Sequence, residues 1–187
     1  MLRRPLSFNL KPFELEFRHL VETHQSRVFS IAYRILGDRG LAEEVAQDVF
    51  LALYRDLDRL ESDTHVLAWL RRVTVHRALD AHRRRASRIE YAAEEFHEER
   101  TQVLSAGENR SAAQGRTYTS ARLERWMSSL SAIQKSVLLL RYQEDMLPGE
   151  IAAALAMPQA TVKSHLQRAL KLLRSQAERQ TKEVANG

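Results

Sequence analysis

The chain of 187 residues contains no cysteine, which excludes disulfides and thiolate metal sites and fits a reducing cytoplasm. Glycine and proline are scarce, at six and four residues, and strand patterns are absent, so little interrupts helical structure. No run approaches the roughly 18 consecutive apolar residues of a membrane span. After Arg3 and Arg4 come Pro5, Asn9, Lys11 and Glu14, with no apolar stretch of signal-peptide length. A cytoplasmic protein without a membrane span is expected. His19, His24, His65, His76, His82, His97 and His165 show neither HExxH nor paired i,i+4 spacing, so no metal is expected. There is no glycine-rich phosphate loop and no nucleophile elbow, so neither a cofactor nor catalytic residues are expected.

What the chain does have is basic charge and helical periodicity. Lysine and arginine number 29 against 24 acidic residues, with a pI near 9.8, a balance that favours a polyanionic partner such as nucleic acid or an anionic membrane, between which charge alone does not choose. A first helix is predicted from about Phe13 to Leu36, with Phe17, Leu20, Val21, His24, Val28, Ile31 and Ile35 on one stripe and Gly37 ending it. Asp38 can cap a second, from about Leu41 to Leu57, apolar at Val45, Val49, Phe50, Leu53 and Leu57. A third, from about Thr64 to Ser87, carries Leu67, Leu70, Val73 and Thr74. Residues 87–119 are rich first in glutamate, then in Ser, Ala, Gly and Asn, which is linker composition. Helical order resumes at Ala121 with Leu123, Trp126, Met127 and Leu130, followed by a helix capped by Ser131 that carries Ile133, Val137, Leu138, Leu140 and Tyr142.

The fold class is therefore all-α: two small helical domains, 13–88 and 120–178, joined by a flexible linker, 89–119. Such a linker allows the domains to be clamped together or splayed. Each small bundle buries a modest core.

Two segments point to nucleic acid. GEIAAALA, then Ala156-Met157-Pro158, then a helix through Val162, Leu166, Ala169, Leu170 and Leu173, reads as a helix-turn-helix. Its second helix offers Gln159, Thr161, Lys163, Ser164, His165, Gln167, Arg168 and Lys171 to a major groove. The alternative is a plain helical hairpin with a solvated basic face. The third helix gathers Arg71, Arg72, Arg77, Arg83, Arg84, Arg85 and Arg88, with only Asp80 opposing them along the sequence. Phosphate contact accounts for such one-signed charge better than folding does.

Together, ILGDRGLAEEVAQDVFLALYRDLDRL (Ile35 to Leu60), AWLRRVTVHRALDAHRRR (Ala68 to Arg85) and LSAIQKSVLLLRYQEDMLPGEIAAALAMPQATVKSHLQRALKLLR (Leu130 to Arg174) resemble the extracytoplasmic-function (ECF) sigma factors of bacterial RNA polymerase, over nearly the whole chain. The resemblance implies a protein that binds core polymerase, recognises the −35 and −10 promoter elements and promotes melting and initiation, without being an enzyme itself. It implies that Glu44, Gln47, Asp48 and Phe50 dock on the polymerase β′ coiled coil, with the β flap as a second contact. It also implies that Ser62, Asp63, Arg71, Arg72, His76, Arg77, Asp80, Arg83 and Arg84 hold the melted −10 strand, and that the last helix reads the −35 element. An anti-sigma factor is expected as inhibitory partner on the same ground. Trp69 is expected in the core.

Several positions depart from the family pattern. His76 stands where Asn is usual, Leu147 where a capping Ser or Thr is common, Ala156 and Ala160 where Gly is common, and His165 where Arg is frequent. Competing readings are a self-sufficient helix-turn-helix regulator and a nucleic-acid-processing enzyme such as a recombinase subunit. The latter lacks a paired-carboxylate or nucleophile constellation.

Overall fold

The computed structural model describes residues 12–95 and 125–185, with side-chain surroundings for 14–89 and 125–179. Most of the expected linker, together with Ala121 and Leu123, lies outside the described residues.

The first helix, α1, spans Pro12–Leu36. It stops at Gly37, which takes φ +68° and donates its N–H to the Tyr33 carbonyl at 2.8 Å. Gly enters that left-handed region at little cost. Asp38 then caps α2 (Arg39–Asp56) by accepting the Leu41 N–H at 3.1 Å. A 3-10 turn, Leu57–Arg59, leads to α3, Asp63–Glu95. Val28, Ile31 and Ile35 of α1 meet Val45, Val49 and Leu53 of α2 and Leu70, Val75 and Ala78 of α3 in one buried cluster. Trp69 is buried there, as expected. Thr74 is fully buried and satisfies its hydroxyl by donating to the Leu70 carbonyl at 2.6 Å, the usual recourse of a threonine inside a helix.

Helix α3 runs past Ser87, so residues 89–95, expected as linker, are helical. Nothing in SRIEYAAEE breaks a helix: it has no Gly or Pro, and Ala and Glu are good helix formers. Its acidity alone suggested a linker.

After a helical turn at 125–128 come α4 (Ala132–Tyr142), α5 (Pro148–Ala154) and α6 (Gln159–Ala185). Ser131 accepts the Gln134 N–H while the Gln134 side chain accepts the Ser131 N–H, a reciprocal capping box. Tyr142, placed by sequence on the apolar stripe, is 61% exposed. It lies about 140° around the helix from Val137 at 3.6 residues per turn, and its ring stacks under Arg141 instead.

The two units are not splayed. Val137, Leu139, Leu140, Ile151, Leu155 and Val162 belong to the same buried cluster as the N-terminal core, with α4 packed on α1 and α3. Burial of this apolar surface supplies the main attraction.

Candidate nucleic-acid interface

Helix α3 projects its arginines in several directions, and their partners differ. Asp48, Arg72, Val73, His76, Arg77, Asp80 and Arg84 line one polar cleft of about 440 Å³. Most of the expected −10 residues thus converge, and Asp48 of the expected polymerase set joins them, with Arg77 donating to it at 3.3 Å. Arg83 pairs with Asp80, and Arg85 with Asp38 at 3.1 Å. The expectation that only Asp80 opposes the run is corrected: Asp38, Asp48 and Glu144 approach from other elements and offset part of the mutual repulsion. Arg72 and Arg84 are exposed and hold no ion pair among the described residues.

Ser62 and Asp63 lie at the start of α3 and do not line the cleft. Ser62 has a local task, its hydroxyl accepting the His65 N–H at 3.3 Å. Both side chains are exposed.

Helix α2 presents two surfaces. Glu44 and Gln47 are exposed and Asp48 is half-buried toward α3. Gln47 and Phe50 instead line an apolar groove of about 710 Å³ between α1 and α2, with Phe17, Val21, Phe29 and Leu51. Phe17 stands edge-on to Tyr54 at 5.1 Å. Sequence reading assigned Phe17 and Val21 to the core stripe and so missed the groove. The signal available was that stripe's excess width, which no described helix covers fully.

In the helix-turn-helix, Gln159, Lys163, Gln167 and Lys171 form an exposed ridge at four-residue spacing along α6, flanked by exposed Ser164 and Arg168. Ser164 donates its hydroxyl to the Ala160 carbonyl at 3.0 Å. Thr161 and His165 are half-buried on the flank. The turn carries Ala156 at φ +50°. Leu147 offers no side-chain cap, but Glu150 accepts the Leu147 N–H at 2.5 Å, so half of a capping box survives.

Sequence reasoning missed the polar contacts joining the units. Glu144, in the turn after α4, is buried, with 2% of its side chain exposed, and its Oε2 accepts from Arg71 Nε at 2.6 Å and lies 3.8 Å from Arg27 Nε. His76 Nε2 is 2.7 Å from the Ala154 carbonyl. Because a carbonyl only accepts, the imidazole proton sits on Nε2. That carbonyl ends α5 and lacks an intrahelical partner. Conversely, Lys135 Nζ reaches the Ile35 carbonyl near the end of α1 at 3.5 Å, where helix dipole and cation attract. Burial lowers the Lys135 pKa below its usual value. It lowers that of His82 too, reinforced by Lys135 and then Arg85. The hydrogen-bonded and ion-paired residues that join the units lie 73 (Arg71 to Glu144) to 117 (Arg27 to Glu144) residues apart in sequence, beyond any local pattern.

Among the described residues no group of His, Asp and Glu could hold a metal ion. No described helix is long and apolar enough to cross a membrane.

Comparison with known proteins defines the class first. Residues 20–88 match the Sigma-70 region 2 family and residues 120–173 the Sigma-70 region 4 family. The chain is 32% identical to an RNA polymerase sigma-E factor of Streptomyces avermitilis, over 88% of this chain and 86% of that one. It is 24% identical to the ECF RNA polymerase sigma factor SigW of Bacillus subtilis, over 86% and 88%. The fold matches the sigma factor RpoE of Bartonella quintana, solved in complex with the anti-sigma factor NepR. The TM-score is 0.66 at 18% identity, over 87% of this chain and 97% of that one. The chain belongs to the ECF RNA polymerase sigma factors, promoter-recognising subunits that direct initiation of transcription.

Proposed function

We propose that this ECF sigma factor works through residues 13–88 as a polymerase-docking and −10 unit and through residues 120–178 as a −35 unit. The observation that carries the assignment is the convergence of Arg72, His76, Arg77 and Arg84 in one cleft of α3 beside Asp48, together with the exposed ridge of α6. Arg72 and Arg84, without an acidic partner among the described residues, meet backbone phosphates, which position the strand without reading it. Extruding a base from the duplex costs a few kcal/mol, and contacts in this cleft offset it. The Gln159, Lys163, Gln167 and Lys171 ridge enters the major groove of the −35 element. Glu44, Gln47 and the apolar groove beside Phe50 receive the β′ coiled coil, and the −35 unit meets the β flap. The protein contributes positioning and strand capture and no catalytic step of its own, and acts in the cytoplasm. An anti-sigma factor is its inhibitory partner, and the Bartonella protein is solved in complex with one.

Run-off transcription with purified core polymerase and a genomic promoter pool tests this. Wild type yields new transcripts, and both Glu44→Arg and Asp48→Arg lose them. Glu44→Arg is the cleaner variant, because Asp48 also holds Arg77. Retardation of duplex DNA by the protein alone, with no transcripts, would instead make it an autonomous repressor or activator.

A further inference from the structure

Glu144 belongs to the C-terminal unit, yet both cations that approach its carboxylate belong to the N-terminal unit, Arg71 on α3 and Arg27 on α1. Among the described residues neither arginine has another ion pair. If the C-terminal unit swings away, the two guanidiniums are left side by side on the N-terminal surface with no anion between them. A carboxylate gripped by guanidinium presents oxygens much as a phosphate diester does. Arg71 directly precedes Arg72, which lines the α3 cleft, and His76, one turn on from Arg72, is held by the Ala154 carbonyl of the same displaced unit.

We infer that Arg27 and Arg71 form one phosphate-binding site of the N-terminal unit, and that Glu144 occupies it when the chain is closed, so that nucleic-acid strand and C-terminal unit compete for it. The inference rests on the reading of α3 as a strand-binding helix and adds Arg27, from α1, to that surface. The competition follows from geometry. Arg71 retains 22% of its side-chain exposure and the carboxylate 2%, which leaves no room for a phosphate while Glu144 is in place. The C-terminal ridge on α6 stays exposed in this closed form, so the block falls on one of the two nucleic-acid surfaces only. The turn is built to present the carboxylate: the Glu144 N–H donates to the Leu139 carbonyl and the Met146 N–H to the Leu140 carbonyl. Asp145 takes φ +53° and Arg141 donates to the Met146 carbonyl.

The test uses the full chain without polymerase and a short fluorescein-labelled single strand of mixed sequence as probe, titrated at low salt. Apparent affinity is the intrinsic affinity scaled by the fraction of open chain, so Glu144→Gln binds about tenfold more tightly if about nine in ten wild-type molecules are closed. Adding Arg27→Ala to Glu144→Gln then removes several-fold of that affinity. In parallel, spin labels on Ala68→Cys and Ala153→Cys, both exposed positions of a chain without native cysteine, give one short distance in wild type and a longer, broader one with Glu144→Gln. Affinity unchanged by Glu144→Gln, or an Arg27→Ala change without effect in the open background, overturns the site. An unchanged distance overturns the competition. Arg27 is half exposed, so the single variant Arg27→Ala folds and loosens the wild-type distance even if Glu144→Gln is unstable. No promoter or polymerase is involved, so failure of run-off transcription would sink the promoter assignments and leave this competition to stand or fall by itself.

Discussion

At Ala156 the backbone turns between α5 and α6 with φ +50°, a conformation in which a Cβ crowds the neighbouring carbonyl and costs about 1–2 kcal/mol. The side chain is exposed, so no packing offsets that cost. Glycine at this position removes the crowding but adds about 0.4–1 kcal/mol of unfolded-chain entropy to be lost on folding. Ala156→Gly is therefore expected to raise stability by up to about 1 kcal/mol, seen as a higher urea midpoint at unchanged m-value. A lower midpoint would mean that the alanine methyl contributes contacts elsewhere. Asp145 takes a similar φ of +53°, but aspartate tolerates this region better.

Among the elements, the ones with explicit end signals were the legible ones. Gly37, Asp38 and Ser131 each stop or start a helix where the sequence places the boundary, because a left-handed stop or an oxygen cap acts within a few residues. Ser131 is the strongest case, since its hydroxyl accepts the Gln134 N–H at 3.3 Å and the box returns through the Gln134 side chain at 3.0 Å. Ser131→Ala should cost about 1 kcal/mol, lowering the thermal midpoint by a few degrees with the fold intact by circular dichroism; no shift would mean that tertiary packing alone sets the start of α4. Where chemistry is non-local, the sequence misleads. The acidity of residues 90–99 hid the continuation of α3, and the wide apolar face of α1 looked like core although part of it lines an open groove. The exposed ridge on α6 was legible as a period-of-four polar face, but half-buried Thr161 and His165 were indistinguishable from it without the helices that cover them.

For the whole molecule, the clamped arrangement was beyond the sequence, since it depends on Glu144, Lys135 and His76 meeting partners far away in the chain. It also carries the pH response. His82 lies beside Lys135 at the boundary between the units, and burial, then Lys135 and Arg85, holds its pKa below the usual 6.5. The unfolded chain then binds the proton more readily than the folded one. The associated stability is fully present above about 6.5 and is lost as pH falls through and below that value. Thermal melts at neutral and mildly acidic pH should show this loss, and His82→Gln should reduce it. An identical acid response in the variant would assign the effect to another group, with His24, lowered by burial and Arg27, next in order.

The placement of Glu144 has a kinetic side. A competitor carried on the same chain acts at an effective concentration of millimolar order, which no stray single strand in a cell is expected to match. On the proposed reading, polymerase docks the N-terminal unit, holds melted DNA against α3, and so supplies the strand at a comparable local concentration. On the proposed competition, the closed chain filters when nucleic acid is captured: incidental strands compete poorly with Glu144, and the two arginines become fully available once a strand is supplied at high local concentration.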